Sequence, residues 1–166
     1  MLGREAFDQG HLEAAELFYR AALGYARQRL KHDPIDPIAL RDVAICWEQL
    51  GYLLQRVGEV GEAGDAYYEA QGRYSDTVKL LGRYGECGRE LARFLWRSSA
   101  LPLQDGNYAE AQAQLESSIE ILWVRSLAEA TCWERLHEFA EAMIRLGIAI
   151  KGQCELALRK DQQGAK

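Results

Sequence analysis

Arg93 and Arg97 stand four residues apart, with Trp96 between them. On a helix that spacing puts all three on one side, so two guanidinium groups flank an indole ring. A guanidinium grips a carboxylate through two parallel hydrogen bonds, and the ring offers apolar surface beside it. The chemistry this favours is recognition of an acidic segment or a terminal carboxylate, not bond breaking. Residues suited to catalysis are sparse. His11 lies near Glu13, and His137 near Glu138 and Glu141, but neither group holds a metal without ligands from elsewhere. The serines and cysteines have no evident histidine partner for nucleophilic work. No G-x-x-x-x-G-K-S/T loop is present for nucleotide phosphates. The glycines at 82, 85 and 88 follow no strand and read as a turn between helices. No catalytic residue, metal or cofactor is therefore expected.

Composition narrows the class further. A chain of 166 residues is about one domain in size, and its net charge of −5 argues against general affinity for nucleic acid. Cys46, Cys87, Cys132 and Cys154 form no C-x-x-C and read as buried thiols in a reducing compartment. The opening residues "MLGREAFDQGH" carry charge too early for a signal peptide, and no apolar run spans a bilayer. The expectation is a cytoplasmic protein with neither a nucleic-acid nor a membrane partner.

The elements that position these residues follow from an internal period. Gly10, Gly58 and Gly106 each open a similar segment, 48 residues from the next. Each is followed at five residues by Ala (Ala15, Ala63, Ala111) and at nine by a large residue (Tyr19, Tyr67, Leu115). The same step relates Leu40–Ala44, Gly88–Ala92 and Leu136–Ala140, and twice that step relates Leu50–Gly51 to Leu146–Gly147. The pentapeptides "CWEQL" and "CWERL" lie 86 residues apart, which is no multiple of 48, so Trp47 matches Leu95 and Met143 instead of Trp133. A repeat at this length signals stacked supersecondary units.

Each period holds two helical patterns, one from Leu12 to about Lys31 and one from about Ile38 to Val57. In the second, Ala44, Trp47, Leu50, Gly51 and Leu54 form one apolar stripe. Pro34 and Pro37 separate the two patterns, and Ser126 is placed to cap a helix in the third unit. Pro102 falls where Leu54 and Ile150 sit in the other copies and should end or kink its helix. Trp47, Leu95 and Met143 are expected to be buried, and Ala63 and Ala111 to mark close helix approaches. The fold class is all-α, one domain of antiparallel helix pairs over residues 1–159 with a polar tail at 160–166.

The stretch Trp47–Ala70 resembles a tetratricopeptide repeat through Trp47, Leu50, Gly51, Gly58, Ala63, Tyr67 and Ala70. The resemblance implies a right-handed solenoid that binds a protein or peptide on the concave face formed by the first helix of each pair. The family's usual unit is about 34 residues, so the longer unit here adds about two turns, roughly 10 Å, to each helix. Such long repeats are similar to bacterial arrays joined to effector domains.

Rotation away from the Trp47 stripe places Ile45, Glu48, Gln49, Tyr52, Gln55 and Arg56 on the outward face, with their equivalents from Arg93 to Gln104 and from Glu141 to Gly152. The candidate partner-binding residues are Arg4, Tyr52, Arg56, Arg93, Trp96, Arg97, Arg145 and Lys151, a basic and aromatic set suited to an acidic peptide. Two other readings stay open. The chain begins and ends out of phase with its repeat, which predicts exposed solenoid ends and a homo-oligomer through Leu2 or Leu156. "RQRLKH", Arg27–His32, fits the arginine–histidine signature of HEPN-type ribonucleases, in which two protomers meet to cleave RNA. It also lies at a helix end, where cations are favoured by the helix dipole.

Overall fold

The computed structural model describes residues 2–82, 86–128 and 133–164, with side chains over 2–82, 86–123 and 137–160. These residues form eight helical segments, and no strand occurs among them. The chain divides into two compact units, Met1–Cys87 and Gly88–Lys166.

In the first unit α1 (Leu2–Asp8), α2 (Leu12–His32), α3 (Pro37–Val57) and α4 (Val60–Leu81) pack in chain order, each on the next. Local chemistry sets the ends. Asp36 accepts hydrogen bonds from the Ile38 and Ala39 amides at 2.9 and 3.2 Å, and Pro37 opens α3 where its missing N–H costs nothing. Arg29 reaches across from α2 to Asp36 at 2.8 Å and Asp42 at 3.3 Å. Partial desolvation pushes the Asp36 carboxyl up. The Ala39 and Ile38 amides and the Arg29 cation together outweigh it and hold the carboxyl below its ordinary range. Gly10 and Gly58 end α1 and α3 with φ of +80° and +95°, a left-handed turn that a side chain disfavours.

The core of this unit is Ala15, Tyr19, Leu23 and Ala26 from α2 against Val43, Leu50 and Leu53 from α3. Two glycines act as sockets for tyrosine rings. A Cβ at Gly3 would come within 2.7 Å of the Tyr19 ring, and one at Gly51 within 2.6 Å of the Tyr67 ring. The two pairs are 48 residues apart. Ala63 and Ala111 are both fully buried, as small residues at close helix approaches should be.

α5 (Glu86–Ser98), which belongs to the second unit from Gly88 on, stops just before α6 (Ala100–Gln104). The break falls three to four residues ahead of Pro102, where its ring would crowd an earlier carbonyl. Ser98 and Ser99 donate their hydroxyls to the Leu95 and Trp96 carbonyls at 3.3 and 2.7 Å. Gly106, at φ +73°, then turns the chain into α7 (Tyr108–Ala128). α7 packs on α8 (Trp133–Gly164) through Ala111 and Leu115 against Ala142 and Ala149. Tyr108 fits over Gly152, where a Cβ would lie 2.5 Å from its ring.

Two expectations need correction, and the last helix adds a departure from the repeat. Ser126 lies inside α7 and not at the start of a helix. Met143 is 47% exposed, whereas Leu95 is buried and Trp47 half-buried. Arg27 covers the Trp47 ring at 5.0 Å, but Trp123, at Arg27's place two periods on, stacks against Phe139 at 5.6 Å. Among the described residues, the cover that Arg27 gives Trp47 has no counterpart from Trp123 over Met143. Finally, the helix of the last copy does not end where its counterparts do: α8 runs through Cys154, the position of Gly58 two periods earlier, and reaches Gly164.

Candidate functional site

The residues proposed from the sequence fall into an outward set and a set engaged within the protein. Tyr52, on α3, is exposed, and its ring packs on Phe7 of α1 with centroids 5.3 Å apart. Arg56, one turn further along α3, is exposed as well. Arg4 projects from α1 with Asp8 3.9 Å away, both largely in solvent, where such a pair contributes little. The first unit thus presents an aromatic ring, braced from behind and bordered by exposed arginines.

Glu48 was expected on this same face, and the structure places it in the interior. Its carboxylate accepts the Tyr74 hydroxyl at 2.6 Å across the α3–α4 contact. Gln55 likewise accepts the Tyr67 hydroxyl at 3.1 Å. The sequence held a signal for Glu48, because the same register position carries Trp96 and Ile144. Two apolar residues out of three mark a position that faces a neighbouring helix.

The second unit brings together Arg93, Trp96 and Arg145, yet in a different way from the one expected. Arg93 Nε lies 3.0 Å from Glu138 Oε1, a half-shielded ion pair whose angle falls short of a hydrogen bond. Arg145 donates Nη1 to the Trp96 carbonyl at 2.9 Å, and its guanidinium sits 5.0 Å from the Trp96 ring centroid. That carbonyl also takes the Ser99 hydroxyl, so the helix break after α5 is where Arg145 finds its acceptor. Burial lowers the Arg145 guanidinium from its ordinary value, and the neighbouring Glu141 charge opposes the shift. Two of the arginines proposed to hold a carboxylate therefore tie α8 to α5. Arg97 is exposed on α5, and Lys151 on α8 is exposed with Glu155 3.9 Å away. Gly152, assigned to the outward face, is buried under Tyr108.

The remaining candidates for chemistry are dispersed. Arg27 is stacked over Trp47, and His32 is the exposed last residue of α2. His11 and His137 are exposed, and Glu138 is engaged by Arg93. Among the described residues no three His, Cys, Asp or Glu side chains are grouped to hold a metal ion. Cys46 is half-buried, and its thiol is pushed up to about 11 by burial and then by Asp42. Cys132 and Trp133 have side chains outside the described residues, although Trp133 opens α8 while Trp47 lies in the middle of α3. No described helix is long and apolar enough to cross a membrane. Neither any protein-family model nor any curated protein matches this chain.

Proposed function

We propose that the chain is a non-catalytic protein-binding module of the tetratricopeptide-like type, a right-handed solenoid of long antiparallel helix pairs. Left-handed glycine turns at 10, 58 and 106 and the two glycine–tyrosine sockets support the repeat reading. The observation that carries the functional reading is Tyr52, exposed, backed by Phe7 and bordered by exposed Arg56. Tyrosine and arginine are among the residue types enriched where binding energy concentrates. The partner this surface fits is an acidic peptide or an acidic loop of another protein, bound in the cytoplasm.

A fluorescent Glu- and Asp-rich peptide with a free C-terminal carboxylate tests this directly. Its affinity for the intact protein should fall as salt rises, because the contact is open to screening. Arg56→Glu and Tyr52→Ala should each weaken binding about tenfold while the melting curve stays nearly unchanged. Charge reversal at Arg93 is unsuitable, since it would set an acid against Glu138 and damage the fold. Peptide affinity equal to wild type in both variants would remove the reading.

A further inference from the structure

We infer that the outer face of α8 is a docking site for an amphipathic helix supplied by another molecule, patterned like α4. This rests on the repeat reading but not on the Tyr52 surface.

The argument starts from what covers the equivalent face of α3. There Leu50, Gly51 and Leu54 are buried, and Gly51 receives the Tyr67 ring of α4, with Ala63, Ala66 and Ala70 buried beside it. Two periods on, the same register positions of α8 are Leu146, Gly147 and Ile150. Gly147 is open, with no atom within 4 Å of where a Cβ would stand. Around it Met143, Ile144, Ile148 and Ile150 are exposed, at 47, 60, 52 and 44%. Leu158 continues the stripe toward the end of the helix. Leu146 borders it and is partly buried against the Ala142–Ala149 core, so the open stripe is continuous with the α7–α8 interface. A contiguous apolar strip of this kind, shaped at its centre by a glycine, marks an interaction surface.

The register also says what the occupant must carry. The glycine socket takes an aromatic ring, and flanking small residues let the backbones approach, which gives small-x3-aromatic-x2-small. Ile144 stands where Glu48 stands in α3, and Glu48 accepts the Tyr74 hydroxyl. An occupant facing Ile144 therefore needs an apolar residue at the Tyr74 position, because a buried hydroxyl there would lose its acceptor. Charge points the same way. α8 exposes Lys151, Arg159 and Lys160 against Glu155, whereas Val60–Leu81 carries Glu62, Asp65, Glu69 and Asp76 against Arg73 and Lys79. The occupant is thus an acidic amphipathic helix with an aromatic residue at its centre.

The probe is a synthetic peptide of the Val60–Leu81 sequence, its Tyr74→Phe form and its Tyr67→Ala form, each titrated into the full chain. The Tyr74→Phe peptide should bind most tightly, the unaltered peptide several-fold more weakly, and the Tyr67→Ala peptide at least about tenfold more weakly than Tyr74→Phe. Gly147→Leu in the protein should abolish binding of all three while leaving the fold intact, since the position is exposed and leucine favours helix. No binding by the Tyr74→Phe peptide, or binding indifferent to Gly147→Leu, would overturn the proposal. So would a chain that sediments as a dimer and is dispersed by Gly147→Leu, which would assign the face to a second α8. A Gly51→Leu protein melting like wild type would instead show that the repeat reading itself has failed.

Discussion

Gly58 and Cys154 occupy the same place in the 48-residue register, and the chain does opposite things at them. At Gly58 the backbone turns left-handed, α3 ends, and α4 folds onto the stripe containing Leu50, Gly51 and Leu54. At Cys154 the helix passes straight through, so α8 extends over 32 residues. The physical difference is one Cβ. A residue with a side chain pays about 1–2 kcal/mol to enter the left-handed region, whereas continuing the helix adds a backbone hydrogen bond. One consequence is local and the other is not. α3 has its apolar stripe covered by the helix that follows, while the matching stripe on α8 stays open.

The largest effect expected from this comparison lies at the two glycine sockets. Gly51→Leu should cost about 1–3 kcal/mol in urea or thermal unfolding, because the Tyr67 ring already occupies the space. Gly147→Leu should stabilise the protein by up to about 1 kcal/mol, since a mid-helix glycine is replaced by a good helix former. If both variants lost stability alike, some element would cover α8 on this face after all.

A smaller contrast compares the two turn positions directly. Gly58→Ala meets no atom within 4 Å, so its cost is backbone strain alone, about 1–2 kcal/mol. Cys154→Ala should be neutral or stabilising by a few tenths of a kcal/mol, alanine being the better helix former. Equal losses of melting temperature in the two variants would break the account of why one helix ends and the other continues.

The smallest effect concerns reactivity. With its thiol pushed up to about 11, Cys46 holds little thiolate near neutrality, whereas Cys154 is exposed. Iodoacetamide followed by peptide mapping should label Cys154 well before Cys46. The sign of the linked stability follows from the raised value. The contribution of the protonated Cys46 thiol is complete below the ordinary thiol range near 9 and is lost as pH climbs through about 11. Stability in Cys46→Ala should accordingly vary less between those pH values than in the wild-type protein.

Much of this arrangement was legible in the residues themselves. The helices predicted from Leu12 to about Lys31 and from Ile38 to Val57 are α2 and α3 within a residue of each limit. Pro102 stands just after the break it was expected to cause. These are local matters: periodicity, proline geometry and glycine turns act within a few residues, so the letters carry them. Which charged groups remain at the surface was less legible. Glu48 read as outward by rotation, but Tyr74, 26 residues away, supplies it with a buried donor. Arg145 read as a free cation, but the Trp96 carbonyl lies within reach across α5 and α8.

By itself the sequence determined the helical class, the 48-residue step and the glycines that recur at it. Those follow from hydrophobic spacing and from the absence of a Cβ at chosen positions. Tertiary structure alone decided that Glu48 is buried, that Arg93 and Arg145 are engaged, and that Met143 is exposed. Each of those outcomes depends on whether a second helix lies opposite the residue. The side chain's own chemistry is the same in either case, so only the folded chain can tell a core position from an open one.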